Sequence, residues 1–438
     1  MKPRGMESRA RAFVNRLSRK FSPAFTLAIS ATLLILLAQA FRLPSALVDA
    51  ATGEPLRDFA LAFPLAHLLL TPFSAAADYL TFNSARQDKV LVFYLLAAYW
   101  AAWLALRRRE RRTAPASALH GAAKAAGGYL LYLAAVAGFL AWAALSQRPM
   151  ARLLAAHPDD LVLDFHSHTN RSHDGRGSFG PRQNMAWHTQ AGFSAGFITD
   201  HNVITASAEA RQISREEHAS TGYRSLFCEE VSLYRAHVVA LAPKEWIYNR
   251  PYDGDREGLR RFLGDCGGRF GALCVLSLPE YWLHHWEELD QLADWGARGV
   301  EIVNSAPIAL DFPADKRREV VDLCRRRNLF LAGAADNHGW SRAAYVWNVM
   351  RVPAQAAMGP DELGKAVALA LRRDGFSAVR VVARAKRAPA QGLGIVFDPA
   401  LGLWTMLRAF TRLQAGVSLC WVWAAALAWS MKKCFLTS

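Results

Sequence analysis

The feature that most constrains the fold is a short apolar run that ends in imidazoles, within DLVLDFHSHTNRSHDG at residues 160–175. The letters LVL lead into His166 and His168. Because successive side chains of a strand point to opposite faces, two imidazoles spaced by two residues can reach one ion. The polar stretch that contains Gly175 ends the strand and leaves Asp174 one tight turn away. Alone, such a His-x-His pair is equally compatible with a chance surface pair.

The same arrangement recurs downstream, where further short apolar runs carry imidazoles or carboxylates at one end. These runs are GFITDHN with Asp200 and His201, LFCEEVS with Glu229 and Glu230, HVVALA with His237, and LFLAGAADNHG with Asp336 and His338. Repeated strand-then-helix units with polar residues at the strand ends are typical of an α/β barrel whose site lies at one face. Imidazoles and carboxylates that converge there suit Zn, Mn or Fe, and would hold a metal-bound hydroxide.

Eight of these side chains carry a resemblance to a known family. They are His166, His168, Asp174, His201, Glu230, His237, Asp336 and His338. Over residues 158–385 their order and spacing resemble those of the polymerase-and-histidinol-phosphatase (PHP) family of metal-dependent phosphoesterases. The resemblance implies a distorted (β/α)7 barrel, two or three divalent metal ions (Mn, Zn or Fe), and a hydroxide that attacks a phosphate ester.

The resemblance also distributes the ligands among the ions. It implies that Glu230 bridges two metals. The first metal would be held by His166, His168 and Asp336, the second by His237, and the third by Asp174, His201 and His338. Asp174 and His201 would thus lie where a leaving group or a phosphate oxygen is held, and we expect both to be catalytic residues.

One position departs from the family pattern. The family usually has a His-Pro pair at the end of a middle strand, whereas ALCVLSLPEYW carries Leu278 before Pro279. An apolar side chain cannot ligate a metal. Either the second metal is weakly held, or Glu280, His284 or His285 replaces the missing imidazole. The departure weakens the case for catalysis more than the case for metal binding.

Arginines near the motifs are candidates for binding phosphate. Arg171 and Arg176 flank the first motif, and Arg342 follows the last. A guanidinium can bind a phosphate in bidentate fashion. We expect Arg176 to assist catalysis in this way, because it directly follows Asp174 and Gly175, although each arginine is also compatible with a solvated surface position.

Two other side chains lie in site-forming stretches. Glu301, in the predicted strand GVEIVNS, is expected to form hydrogen bonds and not to bind metal, since the family does not use it as a ligand. His173 is either exposed, placed behind the ligands, or a general acid.

The composition separates two explanations of the positive charge. The 438-residue chain has a formal net charge of +15 and is 52% hydrophobic, which is high for a soluble protein. A basic chain can bind nucleic acid, but arginines beside apolar runs are typical of membrane topology signals. We therefore expect a membrane partner and not a nucleic acid. The six cysteines contain no Cys-x-x-Cys pair and are interpreted as core residues.

Apolar runs predict membrane segments on both sides of the metal-binding domain. The predicted division is a basic cytoplasmic segment 1–21, a membrane region 22–147 with about three helices, the phosphoesterase-like domain 158–385, and a linker with a C-terminal transmembrane helix at 386–438. The candidate spans are 22–41, 88–106, 127–145 and 414–431. Residues 58–80 are apolar but contain aspartates and prolines, which favours an interfacial or re-entrant segment at least as much as a span.

Basic flanks stay in the cytoplasm, which leaves two topologies. If residues 58–80 do not cross, the arginine cluster at 107–112 and the Lys432-Lys433 pair lie inside and the domain lies outside. If they do cross, the domain faces the cytoplasm, a topology that Arg408 and Arg412 weakly favour. We expect the first topology, in the inner membrane of a bacterium and with a periplasmic domain.

The expected function is hydrolysis of a small-molecule phosphate ester by a membrane-anchored, metal-dependent phosphoesterase. One alternative is a non-catalytic metal- or ligand-sensing membrane protein, which Leu278 motivates. The other is a nuclease, which the basic charge permits and which would bind DNA or RNA with a salt-dependent affinity. The sequence does not select the organic part of the substrate, the oligomeric state or a partner protein.

Overall fold

The computed structural model describes residues 23–110, 118–340 and 343–437. The basic segment 1–21, Arg111, Arg112 and Arg342 lie outside the described residues. The helices are α1 Pro23–Ala40, α2 Leu65–Leu69, α3 Thr71–Thr81, α4 Ala85–Glu110, α5 Ala118–Leu145, α6 Pro181–Ala191, α7 Thr205–Thr221, α8 Arg256–Gly268, α9 Leu278–His285, α10 Leu289–Trp295, α11 Ala314–Arg327, α12 Pro360–Asp374, α13 Asp398–Ala409 and α14 Arg412–Thr437. The strands are β1 Leu47–Asp49, β2 Ala60–Ala62, β3 Arg152–Leu154, β4 Asp160–Asp164, β5 Ala195–Phe197, β6 Arg224–Leu226, β7 Cys228–Leu233, β8 Ala236–Leu241, β9 Leu273–Leu276, β10 Gly299–Asn304, β11 Phe330–Ala334, β12 Val346–Arg351 and β13 Arg380–Arg384.

The strands of the α/β domain lie in two sheets. The six-stranded sheet has the order β1-β13-β12-β4-β5-β6, and the five-stranded sheet has the order β11-β10-β9-β8-β7. Strands β4, β5 and β6 are parallel, as are β9, β10 and β11. Helices alternate with these parallel strands along the chain. The predicted α/β class is therefore confirmed.

The predicted closed barrel is not formed by the described strands, because no backbone ladder joins the two sheets. At one junction the chain itself passes between them, since β6 ends at Leu226 and β7 begins at Cys228. At the other junction the buried side chain of Asn348 takes the place of backbone pairing. It donates to Leu163 O (3.1 Å) and Gly333 O (2.7 Å) and accepts from Gly333 N (2.7 Å).

The apolar runs singled out in the sequence are buried strands. Every residue of β4 and of β10 is buried, as expected of parallel strands covered on both faces. Turn residues end the intervening helices, for example Gly192 after α6 with a φ of 90°. The segments that follow β4, β5, β9 and β11 leave the carboxyl ends of their strands, where polar side chains of parallel sheets gather.

Two helices are long and apolar enough to cross a membrane, judged by length and composition within the described residues. They comprise Ala123–Leu145 of α5 and Arg412–Met431 of α14. A shorter apolar stretch is Ala24–Ala40. Residues 58–80 contain the short strand β2 and the helices α2 and α3, of 5 and 11 residues, and form no single long helix.

The long helices alternate in direction relative to the α/β domain. Just after the end of α1, Leu43 N donates to Arg408 O of α13 at 3.1 Å. Helix α5 ends at the domain, where Arg176 donates to Leu145 O at 2.7 Å. Helix α4 begins at the domain, where Ala85 N donates to Pro307 O at 3.1 Å. Helices α1 and α5 thus run towards the domain, while α4 and α14 run away from it.

Candidate metal centre

The first group of ligands follows β4 and β11. His166 Nε2 and His168 Nε2 lie 3.0 Å apart, and Asp336 Oδ1 lies 3.7 Å and 3.2 Å from them. Asp336 has a positive φ of 46°, which is uncommon for a residue with a Cβ and occurs mainly where function constrains the backbone. Its backbone N–H donates to His166 O at 2.8 Å, so the two loops hold each other in place.

Glu230 lies at the centre of the cluster. It is fully buried, and neither carboxylate oxygen has a hydrogen-bond partner among the described residues. Oε2 lies 3.1 Å from His166 Nε2 and 3.0 Å from His201 Nδ1, and Oε1 lies 3.1 Å from His237 Nδ1. A buried carboxylate without hydrogen bonds, surrounded by imidazole nitrogens, has the donor arrangement of a ligand that bridges two metal ions.

A third group lies on the solvent side of the first. Asp174 Oδ2 is 3.0 Å from His338 Nε2 and 3.5 Å from His201 Nε2. The Asp174 side chain is 41% exposed, whereas His168, which borders this group from below, is buried. His168, Asp174, His201 and His338 place their donor atoms close enough together to hold one ion.

The residue at the position that departs from the family pattern does not point into the site as a metal ligand would. Leu278 packs in the core. Glu280, two residues further on α9, points into the site, where its Oε2 lies 3.5 Å from His237 Nδ1. His284 is exposed, and His285 Nε2 bonds Arg235 O at 2.7 Å. Of the three substitutes that the sequence offered, only Glu280 thus reaches the candidate second metal.

Hydrogen bonds from outside the cluster orient its imidazoles. Glu301 Oε1 lies 2.7 Å from His166 Nδ1, and Ser277 Oγ donates to Glu301 Oε2 at 2.9 Å. The hydrogen-bonding role expected of Glu301 is therefore present. Tyr281 Oη lies 2.9 Å from His237 Nε2, which leaves Nδ1 facing Glu230. Such partners fix the tautomer and the orientation of a ligating ring.

Sequence reasoning missed a second buried pair behind the site. Asp164 Oδ2 lies 2.9 Å from His188 Nε2, and Asp164 Oδ1 accepts from Ala335 N at 3.0 Å. This carboxylate fixes the start of the loop that carries Asp336. A carboxylate inside an otherwise apolar strand was the signal that could have identified it.

Burial disfavours the charged forms of the groups in the cluster. For four of them, neighbours of opposite charge together have the larger effect on the pKa. Against burial, Glu230 raises the pKa of His237 to about 10, and Asp336 raises the pKa of His338 to about 9. The surrounding imidazoles lower the pKa values of Glu230 and Asp336 despite burial. His168 differs, because burial and the nearby His338 lower its pKa to about 3. In metal-free protein the cluster therefore holds protons that a bound metal must displace.

The cluster opens into a cavity of about 340 Å³. Its lining consists of His173, Asp174, His201, Glu230, His237, Glu280, Tyr281, Asp336 and His338. Neither arginine nor lysine is among these described lining residues. An anionic substrate in this cavity would therefore depend on bound cations and imidazoles for charge compensation.

The structure does not bring Arg176 into the cavity. Its Nη1 donates to Leu145 O at 2.7 Å and contacts Gly339 O at 3.4 Å, because its side chain follows the edge of the site towards the end of α5. Arg176, which we expected to bind phosphate, thus contacts two backbone carbonyls and lies outside the described lining of the cavity. Arg171 lies on the surface, 3.7 Å from Glu209. His173 is exposed, with its ring centre 5.0 Å from that of His201.

A scan against models of known protein families finds no match, and neither does a comparison with functionally curated proteins. Solved structures give distant similarities. A chain from Bifidobacterium adolescentis, described as a metal-dependent phosphoesterase, is 15% identical with a TM-score of 0.32 over 41% of this chain and 88% of that one. An amidohydrolase from Chromobacterium violaceum, with bound sulfate and no metal, is 16% identical with a TM-score of 0.30 over 44% and 92%. PsfC from Pseudomonas syringae is 13% identical with a TM-score of 0.31 over 57% and 99%. At these values the similarities do not assign this chain to a family.

Proposed function

We propose that the α/β domain is a metal-dependent phosphoesterase that hydrolyses a phosphate ester of a small molecule. The observation that carries the proposal is that three ligand groups lie side by side around the buried carboxylate of Glu230, whose oxygens are within 3.1 Å of nitrogens of His166, His201 and His237. Adjacent ions that share ligands suit phosphoryl transfer, since they can clamp the oxygens of a phosphate. The resemblance of the eight ligand positions to the PHP family supports the same reaction.

The donor set fits divalent metals. Imidazoles and carboxylates are the ligands that Zn, Mn and Fe accept, and the facing nitrogens of His166 and His168 lie 3.0 Å apart with a carboxylate beside them. Bound metals would supply a nucleophile at neutral pH by acidifying water, and would stabilise charge on the phosphate.

The chain's own residues would position the substrate and donate a proton to its leaving group. Asp174 and His338, at the solvent edge of the site, would hold the exposed side of the phosphate or the leaving group through the third ion. His173 lies nearest to solvent and is placed to donate a proton to a departing alkoxide. A cavity of about 340 Å³ accommodates a small organic phosphate.

The second ion would have a carboxylate in place of the usual imidazole. His201, Glu230 and His237 form the ligand group, and Glu280 completes it from α9. Leu278 then removes one nitrogen donor without leaving the site incomplete. This arrangement favours a catalytic centre over the sensing domain that Leu278 alone motivates.

The decisive experiment measures metal content and turnover on the full-length protein in detergent. We expect two or more ions per chain and manganese- or zinc-dependent hydrolysis of an aryl phosphate, with no hydrolysis of an aryl amide. His166→Ala should lose both metal and turnover, whereas His284→Ala, an exposed histidine on α9, should retain both. Metal binding without turnover of any phosphoester would contradict the proposal and favour a sensing function.

We further propose that the domain lies outside the cytoplasm of a bacterial inner-membrane protein. Two helices have the length and composition of spans, and residues 58–80 do not form a third. Helices α4 and α14 run away from the domain, and along the sequence the arginine cluster at 107–112 and the Lys432-Lys433 pair come near the ends of these two helices. Because basic flanks of membrane segments stay in the cytoplasm, we expect the domain on the opposite side.

A further inference from the structure

A second cavity lies where the apolar helices meet the α/β domain. It has a volume of about 90 Å³ and shares no described lining residue with the metal centre. Its walls come from β2 to α3, from residues 384–387 at the end of β13, from α13, and from the first turn of α14. This position places the cavity beside the end of a candidate membrane span.

The carboxylate that lines this junction cavity is already fully engaged. Asp78 Oδ1 accepts from Arg148 Nη1 at 2.6 Å, and Asp78 Oδ2 lies 3.0 Å from His67 Nε2. Arg384 Nε donates to Ala344 O at 3.0 Å, but Arg384 Nη2 is 4.0 Å from Asp78 Oδ2 and has no hydrogen-bond partner among the described residues. A guanidinium N–H group without a partner inside a protein is costly.

Two more cations line the same cavity. Lys386 is partly buried and donates to Phe82 O, and burial lowers its pKa to about 8 although nearby carboxylates, including Asp398, act in the opposite direction. Arg387 is half-exposed, with its Nε 3.7 Å from Asp398 Oδ1. Burial also lowers the pKa of Arg384. Arg384 Nη2 thus remains a donor of this wall without a hydrogen-bond partner among the described residues, and an anion in the cavity would supply one.

The remaining wall of the junction cavity is apolar. It includes Leu61, Phe63, Ala75, Met406, Ala409 and Phe410. Cations on one side and apolar side chains on the other match a ligand with an anionic head and a hydrocarbon chain.

Neighbouring surfaces indicate that this region contacts lipid. Helix α13 and the turn before it expose large apolar side chains, namely Leu393, Phe397, Leu401 and Leu403. Helix α2 lies along α14, because Trp421 Nε1 donates to Leu69 O at 2.7 Å, about 14 Å along that helix from Arg412. Leu65 and Leu69 of α2 are exposed, so this helix also presents apolar side chains beside a candidate span.

We propose that the junction cavity binds the phosphate group of an anionic amphiphile, with a membrane phospholipid as its source. Arg384 and Lys386 donate to the phosphate oxygens, and one acyl chain lies against the apolar wall beside Ala409. The site is separate from the metal centre and does not depend on catalysis there. The lipid source follows from α14 crossing a membrane, as proposed above.

Native mass spectrometry of delipidated full-length protein tests this site. The probes are short-chain phosphatidylglycerol, phosphatidylcholine with the same chains, and inorganic phosphate. We expect retention of phosphatidylglycerol with an affinity at least about tenfold above that for phosphatidylcholine. Equal retention of the two lipids would overturn the proposal. Inorganic phosphate that competes as strongly as phosphatidylglycerol would overturn the lipid source and assign the site to soluble phosphate.

Two variants test separately the contribution of a cation and the contribution of the apolar space in the junction cavity. Lys386→Gln removes a donor, and Ala409→Phe fills the apolar wall while all cations remain; each should weaken phosphatidylglycerol binding about tenfold. Arg380→Gln removes the same charge from an exposed position on β13 and should bind as the wild type does. An unchanged metal content in all three variants verifies folding. Wild-type lipid affinity in both cavity variants would contradict the site.

Discussion

At the scale of single residues, the candidate metal centre has a carboxylate, Glu280, close to the position where Leu278 departs from the family motif. Leu278 packs in the core, whereas Glu280, two residues later in the same turn of α9, points towards His237 from another face of the helix. Replacing an imidazole with a carboxylate gives the second site a harder donor set, which favours Mn or Fe over Zn. We therefore expect the second site to bind a metal ion with this altered donor set.

Substitution of Glu280 should affect metal binding before it affects folding. In Glu280→Gln we expect the affinity for one bound ion to fall by more than tenfold, about 1.4 kcal/mol, because an amide is a weaker ligand than a carboxylate. The measurement is metal content after dialysis against a graded series of manganese concentrations. Glu287→Gln, which removes the same charge from an exposed position, is the control. A titration of Glu280→Gln that matches the wild type would rule out ligation by this residue.

Metal uptake should release protons and strengthen with rising pH. The metal-free pKa values of His237 and His338 are about 10 and about 9, so both rings are protonated at neutral pH and must lose protons to ligate. The apparent metal affinity should therefore rise between about pH 7 and pH 9. Calorimetry in buffers of different ionisation enthalpy counts the protons released. An affinity that is constant over this range, with no buffer dependence, would contradict protonated ligands in the metal-free site.

At the scale of elements, the two sheets meet at a polar side chain where a closed barrel would have a backbone ladder. The amide of Asn348 bonds Gly333 on β11 and Leu163 on β4, and it is fully buried. Strands β4 and β11 carry the two loops with His166, His168 and Asp336. This amide thus helps to set the spacing of the first ligand group, together with the hydrogen bond from Asp336 N to His166 O.

Loss of the Asn348 amide should destabilise the domain. Asn348→Leu leaves buried backbone groups of Gly333 and Leu163 without partners, at a cost of roughly 3 kcal/mol in the free energy of unfolding. Chemical denaturation monitored by tryptophan fluorescence measures this loss. Gln212→Leu removes an exposed amide on α7 and should change stability by less than about 0.5 kcal/mol. If both variants unfold alike, the two sheets are not held together by Asn348.

At the scale of the whole molecule, the cysteines bear on the proposal that the domain lies outside the cytoplasm. Cys266 at the end of α8 and Cys274 in β9 are disulfide-bonded, a pairing that the sequence did not predict. Cys228 and Cys324 are free and buried. Disulfides persist mainly in oxidising compartments such as the periplasm. The bond thus supports the same topology as the basic helix flanks.

Alkylation of protein denatured directly from cells, without reductant, tests this topology. We expect Cys266 and Cys274 to remain unlabelled until a reductant is added, whereas Cys228 and Cys324 react in both conditions once unfolded. Peptide mass spectrometry reads all four positions in one sample. Full labelling of Cys266 and Cys274 without reductant would instead place the domain in the cytoplasm.

The sequence by itself determined the local chemistry of this protein. Apolar runs with His166, His168 and Asp336 at their ends predicted buried strands and ligands, because side-chain alternation and strand burial are local properties. It could not determine which distant groups face each other. Glu280, Tyr281 and Asn348 acquire their contacts only when separate strands and helices pack together, and the approach of Arg384 to Asp78 likewise joins chain segments more than 300 residues apart. Tertiary structure alone brings such groups together, so it also decided that Arg176 binds a helix end and stays outside the described lining of the cavity.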